Sequence, residues 1–457
     1  MTTCERIAAY VQRAQWDAIS PEARDKLKQH LLDALGCALG AVMSPVIAAT
    51  RREERSGGCF GPCSRIACGT STPERAAFHN AALIRYLDFM DTFIAPGEAC
   101  HPSDNIGALL AAAELADSSG RDLLTAMAIA YHVQCVLTAS GVRIMGQGFD
   151  HTLPLAISIA AGTSYLLGLD RERTAHAIAL CAVEGLSLGA ARSGRLVPQW
   201  KGLASAATAF SAIHNVRLAA EGITGPLHAF EGPLGLKQVL GRPFAIRWEQ
   251  EGYDAVLACS IKRFNAEFHA QSLIEGILEL RAAGLRADQV RRMDVDIFKA
   301  GHEMIGGGGY VDPQTVETKE DADHSLPYLA AAALLDGDVQ PEQFEPGRIQ
   351  ARDIRELMPR IRSHVSLRCT REYPLWLPVR IRVSRFGAPP LRLEKRDYEG
   401  FYRRPIPWRR LLAKFHRVAS PALEETRAAV VDCVHDLEHR PATDLIGELA
   451  AAPLGVS

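Results

Sequence analysis

The hydrophobic period of this chain changes twice, and that change limits its fold more than any single motif does. From residue 1 to about 265, apolar residues recur at the three-to-four spacing of a packed helix. In "SPEARDKLKQHLLDALGCALGA", Ser20 stands where an N-cap belongs and Pro21 at the first helical position. Leu27, Leu31, Leu35 and Leu39 then make one apolar stripe. "NIGALLAAAELADSSG", "RDLLTAMAIAYHVQCVL", "LPLAISIAAGTSYLLGL" and "GLASAATAFSAIHNVRLAAEG" continue in that style, rich in Ala, Gly and Ser. Small residues let helix axes approach closely, as a bundle buried on several sides requires.

Beyond about residue 265 the period falls to two. "MDVDIF" alternates Met293, Val295 and Ile297 with aspartates. "HVSLR" alternates Val365 and Leu367 with polar residues, and "PVRIRVSRF" sets Val379, Ile381 and Val383 against Arg380, Arg382 and Ser384. These read as half-exposed antiparallel strands, with "FGAPP" turning the last of them into a hairpin with "LRLE". "AQSLIEGILELRAAG" and "SLPYLAAAALLDG" are helices between them, and from Trp408 the helical period returns. The pattern predicts a mainly α protein: a helical domain over 1–265, a smaller α+β domain over 266–400, and a helical tail over 401–457 that returns to the first domain. "IGGGGY" at 305–310 lacks the Lys-Ser/Thr of a phosphate loop and reads as a mobile loop.

Length and composition set the remaining bounds. A chain of 457 residues suggests two or three domains. The net charge of -2 gives no electrostatic case for nucleic acid or an anionic membrane. Leu123–Val142 and Thr152–Leu169 lack Asp, Glu, Lys and Arg, but their polar and turn residues mark them as buried core helices rather than membrane spans. The start, "MTTCERIAAYVQRAQW", has no apolar signal core. Eleven scattered cysteines read as reduced thiols, which together with that start predicts a cytoplasmic protein. Cys59, Cys63 and Cys68 lack a fourth partner at zinc-site spacing, so no structural metal is expected.

Ionisable residues concentrate where packing alone would place apolar ones. "LDFMDTFIAPGEACHPSDN", between two apolar helices, supplies Asp88, Asp91, Thr92, Glu98, His101 and Asp104. "GQGFDHT" adds Asp150 and His151, "PQWKG" adds Lys201, and "SIKRFNAEFHAQS" adds Lys262, Arg263, Glu267 and His269. "DHSLPY" adds His324 and Tyr328. A buried unpaired charge is costly, so such groups are solvated or employed. Taken singly each has a plain structural reading; Ser103 and Asp104, for instance, can cap the helix that follows. Taken together, Lys and His suit carboxylates, while Asp, His and Tyr suit general acid/base work.

Nearly the whole chain resembles the MmgE/PrpD family of 2-methylcitrate dehydratases, cis-aconitate decarboxylases and iminodisuccinate epimerases. The resemblance runs through "LLDALGCALGA", "RAAFHNAALIRYLDFMDT", "HPSDNIGALLAAAELA", "LLGLD", "EGPLG", "SIK", "EFHAQS" and "DHSLPYLAAAALLDG". It implies a large helical domain with a smaller α+β lid, a homodimer, no required redox cofactor, and a small di- or tricarboxylate substrate. By position it implies catalytic roles for Asp88, His101, His151, Lys262 and Tyr328, and substrate binding by Thr92, Lys201 and His269. His151 is displaced by one residue from the family histidine, because the string here is "GFDHT". Met90 stands where the family often has a second aspartate, and Val197 where decarboxylase-like members carry the lysine of "K-P-L-H-x-G". "HPSDN", "WKG" and "EFHAQ" look like the 2-methylcitrate dehydratase branch. The leading expectation is a hydro-lyase acting on 2-methylcitrate or a close tricarboxylate. The alternatives are a decarboxylase or epimerase of the same family and, from another class, a metabolite-binding protein without turnover.

Overall fold

The computed structural model describes residues 1–56, 60–192, 197–309 and 312–452. Its contacts divide the chain into two units, one of Met1–Gly189, Gly202–Cys259 and Pro407–Ser457, the other of Ala190–Lys201 and Ser260–Ile406. Alternation alone did not mark Ala190–Lys201 as part of the second unit. Side-chain bonds explain the placement: the Val197 N–H donates to Asp321 at 2.9 Å and Lys201 Nζ lies 3.0 Å from Asp323.

The first unit is helical. Pro21–Ala41 begins as its sequence dictates, with Ser20 Oγ accepting the Ala23 N–H at 3.2 Å and Pro21 in the first turn. Leu27, Leu31, Leu35 and Leu39 are all fully buried. Pro73–Tyr86 packs against Ile106–Leu115 and Ala204–Ala220, and Gly120–Ala139 packs against Thr152–Leu166. The approach of the first pair depends on Gly107, where a Cβ would stand 2.3 Å from the Ala81 backbone nitrogen. Gly120–Ala139 is long and apolar enough to cross a membrane by length and composition, but most of it is buried inside this unit. The tail helix Trp408–Val418 packs on Pro21–Ala41, and Phe415 lies against Gly36.

The second unit holds a four-stranded sheet in the order Ile361–Val365, Val290–Ile297, Val379–Arg385, Leu391–Lys395. Met293, Val295, Ile297, Val379, Ile381 and Val383 are buried, as their alternation predicts. Two strand expectations need correction. Ile361–Val365 pairs with Val290–Ile297 in parallel, not antiparallel. Its alternation also ends early: Val365 and Leu367 are exposed, because the chain turns into the short helix Leu367–Glu372. Helix Gln271–Ala282 covers the sheet at Gly276, where a Cβ would stand 2.9 Å from Leu393 and 3.0 Å from Ile381.

Gly306–Gly309 follow the helix Lys299–Ile305, and the Gly308 N–H donates to the His302 carbonyl; Tyr310 lies outside the described residues. All ten described cysteines are free thiols; Cys59 lies outside the described residues.

Candidate active site

In the helical unit the site residues follow the end of Pro73–Tyr86. Asp88 adopts φ 56°, the left-handed region, which costs a non-glycine residue about 1–3 kcal/mol and persists only where surroundings enforce it. Arg85 is part of that enforcement: its Nη1 lies 2.6 Å from Asp88 Oδ1, with both side chains buried. Met90 Sδ lies 3.6 Å from the same guanidinium nitrogen, so a thioether faces Arg85.

The chain then forms the hairpin Phe93–Ala95 and Glu98–Cys100 and reaches His101. His101 Nδ1 lies 2.7 Å from the Asp91 carbonyl oxygen and 3.3 Å from Thr92 Oγ1. A carbonyl only accepts, so Nδ1 carries a proton. The His151 ring packs edge-on against His101, with centroids 5.4 Å apart. His151 Nδ1 is 2.7 Å from Asp150 Oδ1, and Asp150 is itself tied by its N–H to the Ser187 carbonyl at 2.7 Å. His151 Nε2 is buried without a hydrogen-bond partner among the described residues, 3.9 Å from Asp104 Oδ2.

Asp104 is not the helix cap the sequence suggested. A short 3-10 turn, Pro102–Asn105, precedes the helix Ile106–Leu115, and the Asp104 carboxylate instead accepts Ser205 Oγ–H at 2.7 Å. Ser103 does not cap either; it donates to Asp91. Glu98 accepts the Met145 N–H at 3.1 Å, and burial pushes its carboxyl up to about 7, against the pull of the Met145 and Gly146 amides, His151 and Arg143.

In the second unit lysine and histidine side chains gather on two carboxylates. Asp323 is fully buried and receives Lys201 at 3.0 Å, Lys319 at 2.7 Å and His324 at 2.5 Å. Burial alone would raise its carboxyl, but Lys201, Lys319 and His324 hold it well below the usual range. Glu267 accepts the His269 N–H at 2.8 Å and lies 2.9 Å from its Nδ1. Burial opposes ionisation of Glu267 too, and His269, His324 and Lys262 outweigh it. His269 Nε2 has no hydrogen-bond partner among the described residues. Lys262 is buried.

Tyr328 differs from the rest. It is completely enclosed, its hydroxyl donates to the Gln343 carbonyl, and burial raises its phenol above the ordinary value. In this geometry its proton is committed to the core of its own unit, which does not support the proton-transfer role expected of it.

Thr92, His101 and His151 therefore form one neighbourhood in the helical unit, which also holds Asp88, and Lys201, Lys262 and His269 belong to the other unit. Sequence reasoning missed Arg85, Lys319, Asp323 and the buried His30 that pairs with Asp91 at 2.8 Å. Two of these had a readable signal: Arg85 precedes Asp88 by three residues in an otherwise apolar helix end, and Lys319 precedes Asp323 by four.

The MmgE/PrpD N-terminal domain matches residues 5–249, and the MmgE/PrpD C-terminal domain matches residues 264–437. The chain belongs to the MmgE/PrpD family. Among its relatives, the 2-methylcitrate dehydratase of Escherichia coli K12 is 28% identical over 379 residues, covering 78% of this chain and 77% of that protein. The 2-methylcitrate dehydratase of Cupriavidus necator is 29% identical over 363 residues, covering 74% and 72%. A fungal alkylcitrate dehydratase is 28% identical over 351 residues, covering 70% and 67%. The family match agrees with a mainly helical fold carrying a small sheet.

Proposed function

We propose that the chain is a hydro-lyase that eliminates water from 2-methylcitrate or a closely related tricarboxylate. The observation that carries this reading is the His101–His151 pair. Each ring has Nδ1 held by an oxygen of its own unit, the Asp91 carbonyl for His101 and Asp150 Oδ1 for His151, which sets both rings in a fixed orientation for proton work. Dehydration needs two such groups. One takes the proton from the carbon beside a carboxylate, the C–H electrons form the double bond, and the C–O bond breaks. The other gives a proton to the leaving hydroxyl, so that water departs.

The second unit carries lysine and histidine side chains of the kind that bind carboxylates. Lys201, Lys262 and His269 do this work, with Asp323 and Glu267 holding Lys201 and His269 in place. A cation set by buried carboxylates needs little reorganisation when charge develops on the substrate. Thr92 orients a carboxylate by hydrogen bonding, and Asp88 assists proton transfer from its enforced left-handed position. The names of the bacterial and fungal relatives support a dehydratase. Val197 supports it over a decarboxylase, since an uncharged side chain stands at that position.

The test is a panel of 2-methylcitrate, citrate and cis-aconitate, following double-bond absorbance and carbon dioxide release together. Double-bond absorbance from 2-methylcitrate without carbon dioxide is the expected result. Carbon dioxide from cis-aconitate would replace the reading with a decarboxylase. A thermal shift without turnover on any of the three would replace it with a binding protein.

A further inference from the structure

Beneath His101 lies a buried polar chain that the proposed chemistry does not itself use. Helix Pro21–Ala41 presents His30, whose Nδ1 meets Asp91 Oδ2 at 2.8 Å; both side chains are shut off from solvent. Asp91 Oδ1 accepts the Ser103 N–H at 3.1 Å and Ser103 Oγ–H at 2.7 Å. Asp91's own carbonyl accepts the proton of His101 Nδ1. One residue therefore grips His101 from two directions: its carbonyl holds the ring, and its carboxylate holds the backbone two residues further on.

The electrostatics fit this role. Burial pushes the Asp91 carboxyl up, but the hydrogen bonds from His30 and Ser103 keep it below the usual range, so it is an acceptor-only carboxylate. Burial keeps His30 low, so it serves as a neutral donor through Nδ1. Three donors converge on two carboxylate oxygens, an arrangement that a neutral amide of the same shape cannot satisfy, because half of it donates. In water a neutral imidazole has no such fixed tautomer; the partner on one nitrogen decides which is protonated.

We propose that Asp91 and His30 are positioning residues that fix the tautomer and orientation of His101, with Ser103 as the brace between Asp91 and the His101 turn. This rests on the reading of His101 as a proton-transfer group, and the test separates the two ideas. Asp91→Asn and His30→Gln are assayed with 2-methylcitrate, and His101 is followed by nitrogen NMR in protein labelled at its histidines, with His101→Gln assigning the signal. The expected kinetics are a loss of about 10- to 100-fold in kcat, the scale of a catalytic group displaced by about 1 Å, with KM nearly unchanged. The double variant should lose no more than the worse single variant, because both act through one chain of bonds. In the NMR spectrum the wild-type ring should be the Nδ1–H form, and the variants should shift toward Nε2–H. Unchanged kcat, a kcat loss matched by an equal rise in KM, or an unshifted tautomer in folded variants overturns the proposal. If Asp91→Asn does not fold, Ser103→Ala, which removes one hydroxyl donor, carries the same two readouts. If the wild type does not dehydrate 2-methylcitrate, the functional reading fails, but the tautomer still decides whether Asp91 and His30 set His101.

Discussion

A carboxyl buried within reach of His151 makes pH a direct probe at the residue scale. Glu98 is pushed up to about 7 chiefly by burial, against about 4.3 for an unperturbed glutamate. The folded chain thus holds a proton that the unfolded chain has already lost, so this group's contribution to stability falls as pH rises from about 4.3 to about 7. Glu98→Gln keeps an acceptor for the Met145 N–H and removes the charge. Its melting temperature should exceed the wild type's at pH 8, and the gap should close by pH 5; equal gaps at both values would show that Glu98 is not held protonated. His101→Ala tests the other kind of role. General acid/base groups contribute roughly 100- to 10,000-fold to rate, and turnover should fall on that scale. The Asp91 carbonyl loses its donor at the same time, at about 1 kcal/mol, so the variant should melt only slightly earlier. Asp104→Ala, once expected to cost a helix cap, should instead disturb the surroundings of His151. It should lower kcat as well as stability, because its carboxylate accepts Ser205 Oγ–H and lies beside the His151 Nε2.

Elements were legible where one physical rule acted alone. The Ser20-Pro21 start and leucine stripe of Pro21–Ala41, and the alternation of Val379–Arg385, were read correctly because capping and burial both follow local sequence. The rule failed where pairing decides. Nothing in "IRSHV" states that its neighbour runs parallel, and Leu367 continues an alternation that the backbone has already left. Close approaches were equally silent, since a glycine does not announce its neighbour. Gly107 and Gly276 make that difference measurable. At Gly107 an added Cβ meets backbone at 2.3 Å, whereas at Gly276 it meets the far ends of Leu393 and Ile381. Side-chain ends can move and a neighbouring helix backbone cannot without shifting the pair, so Gly107→Ala should destabilise more than Gly276→Ala. Overpacking of this kind costs about 1–3 kcal/mol, with Gly107→Ala at or above the top of that range in a denaturant titration.

At the scale of the whole molecule, the sequence pointed to the candidate site residues by charge but hid what supports them. Asp88, His101 and His151 stood out as ionisable groups between apolar helices. His30, which reaches His101 through Asp91, and Asp33, buried on the same helix, look like interruptions of an apolar face until a distant segment supplies the partner. For Asp33 that partner comes from the tail: Lys414 Nζ lies 2.6 Å from Asp33 Oδ1, more than 380 residues away along the chain. Burial raises the Asp33 carboxyl to about 6 even though Lys414 pulls it down. Without Lys414 it would rise further. An acid whose folded pKa is raised loses stability as pH climbs from its unfolded value, about 3.9, through its folded value. In Lys414→Met that window extends above 6, while at pH 5 the carboxyl is largely protonated in both proteins. The variant should therefore be destabilised by about 3–5 kcal/mol at pH 8, the cost of leaving one member of a buried pair uncompensated, and by clearly less at pH 5. The loss of Lys414 from above the Phe89 ring, 3.9 Å from its centroid, accounts for the part that does not change with pH. If the deficit is the same at both values, Asp33 is not the group through which the tail secures this unit.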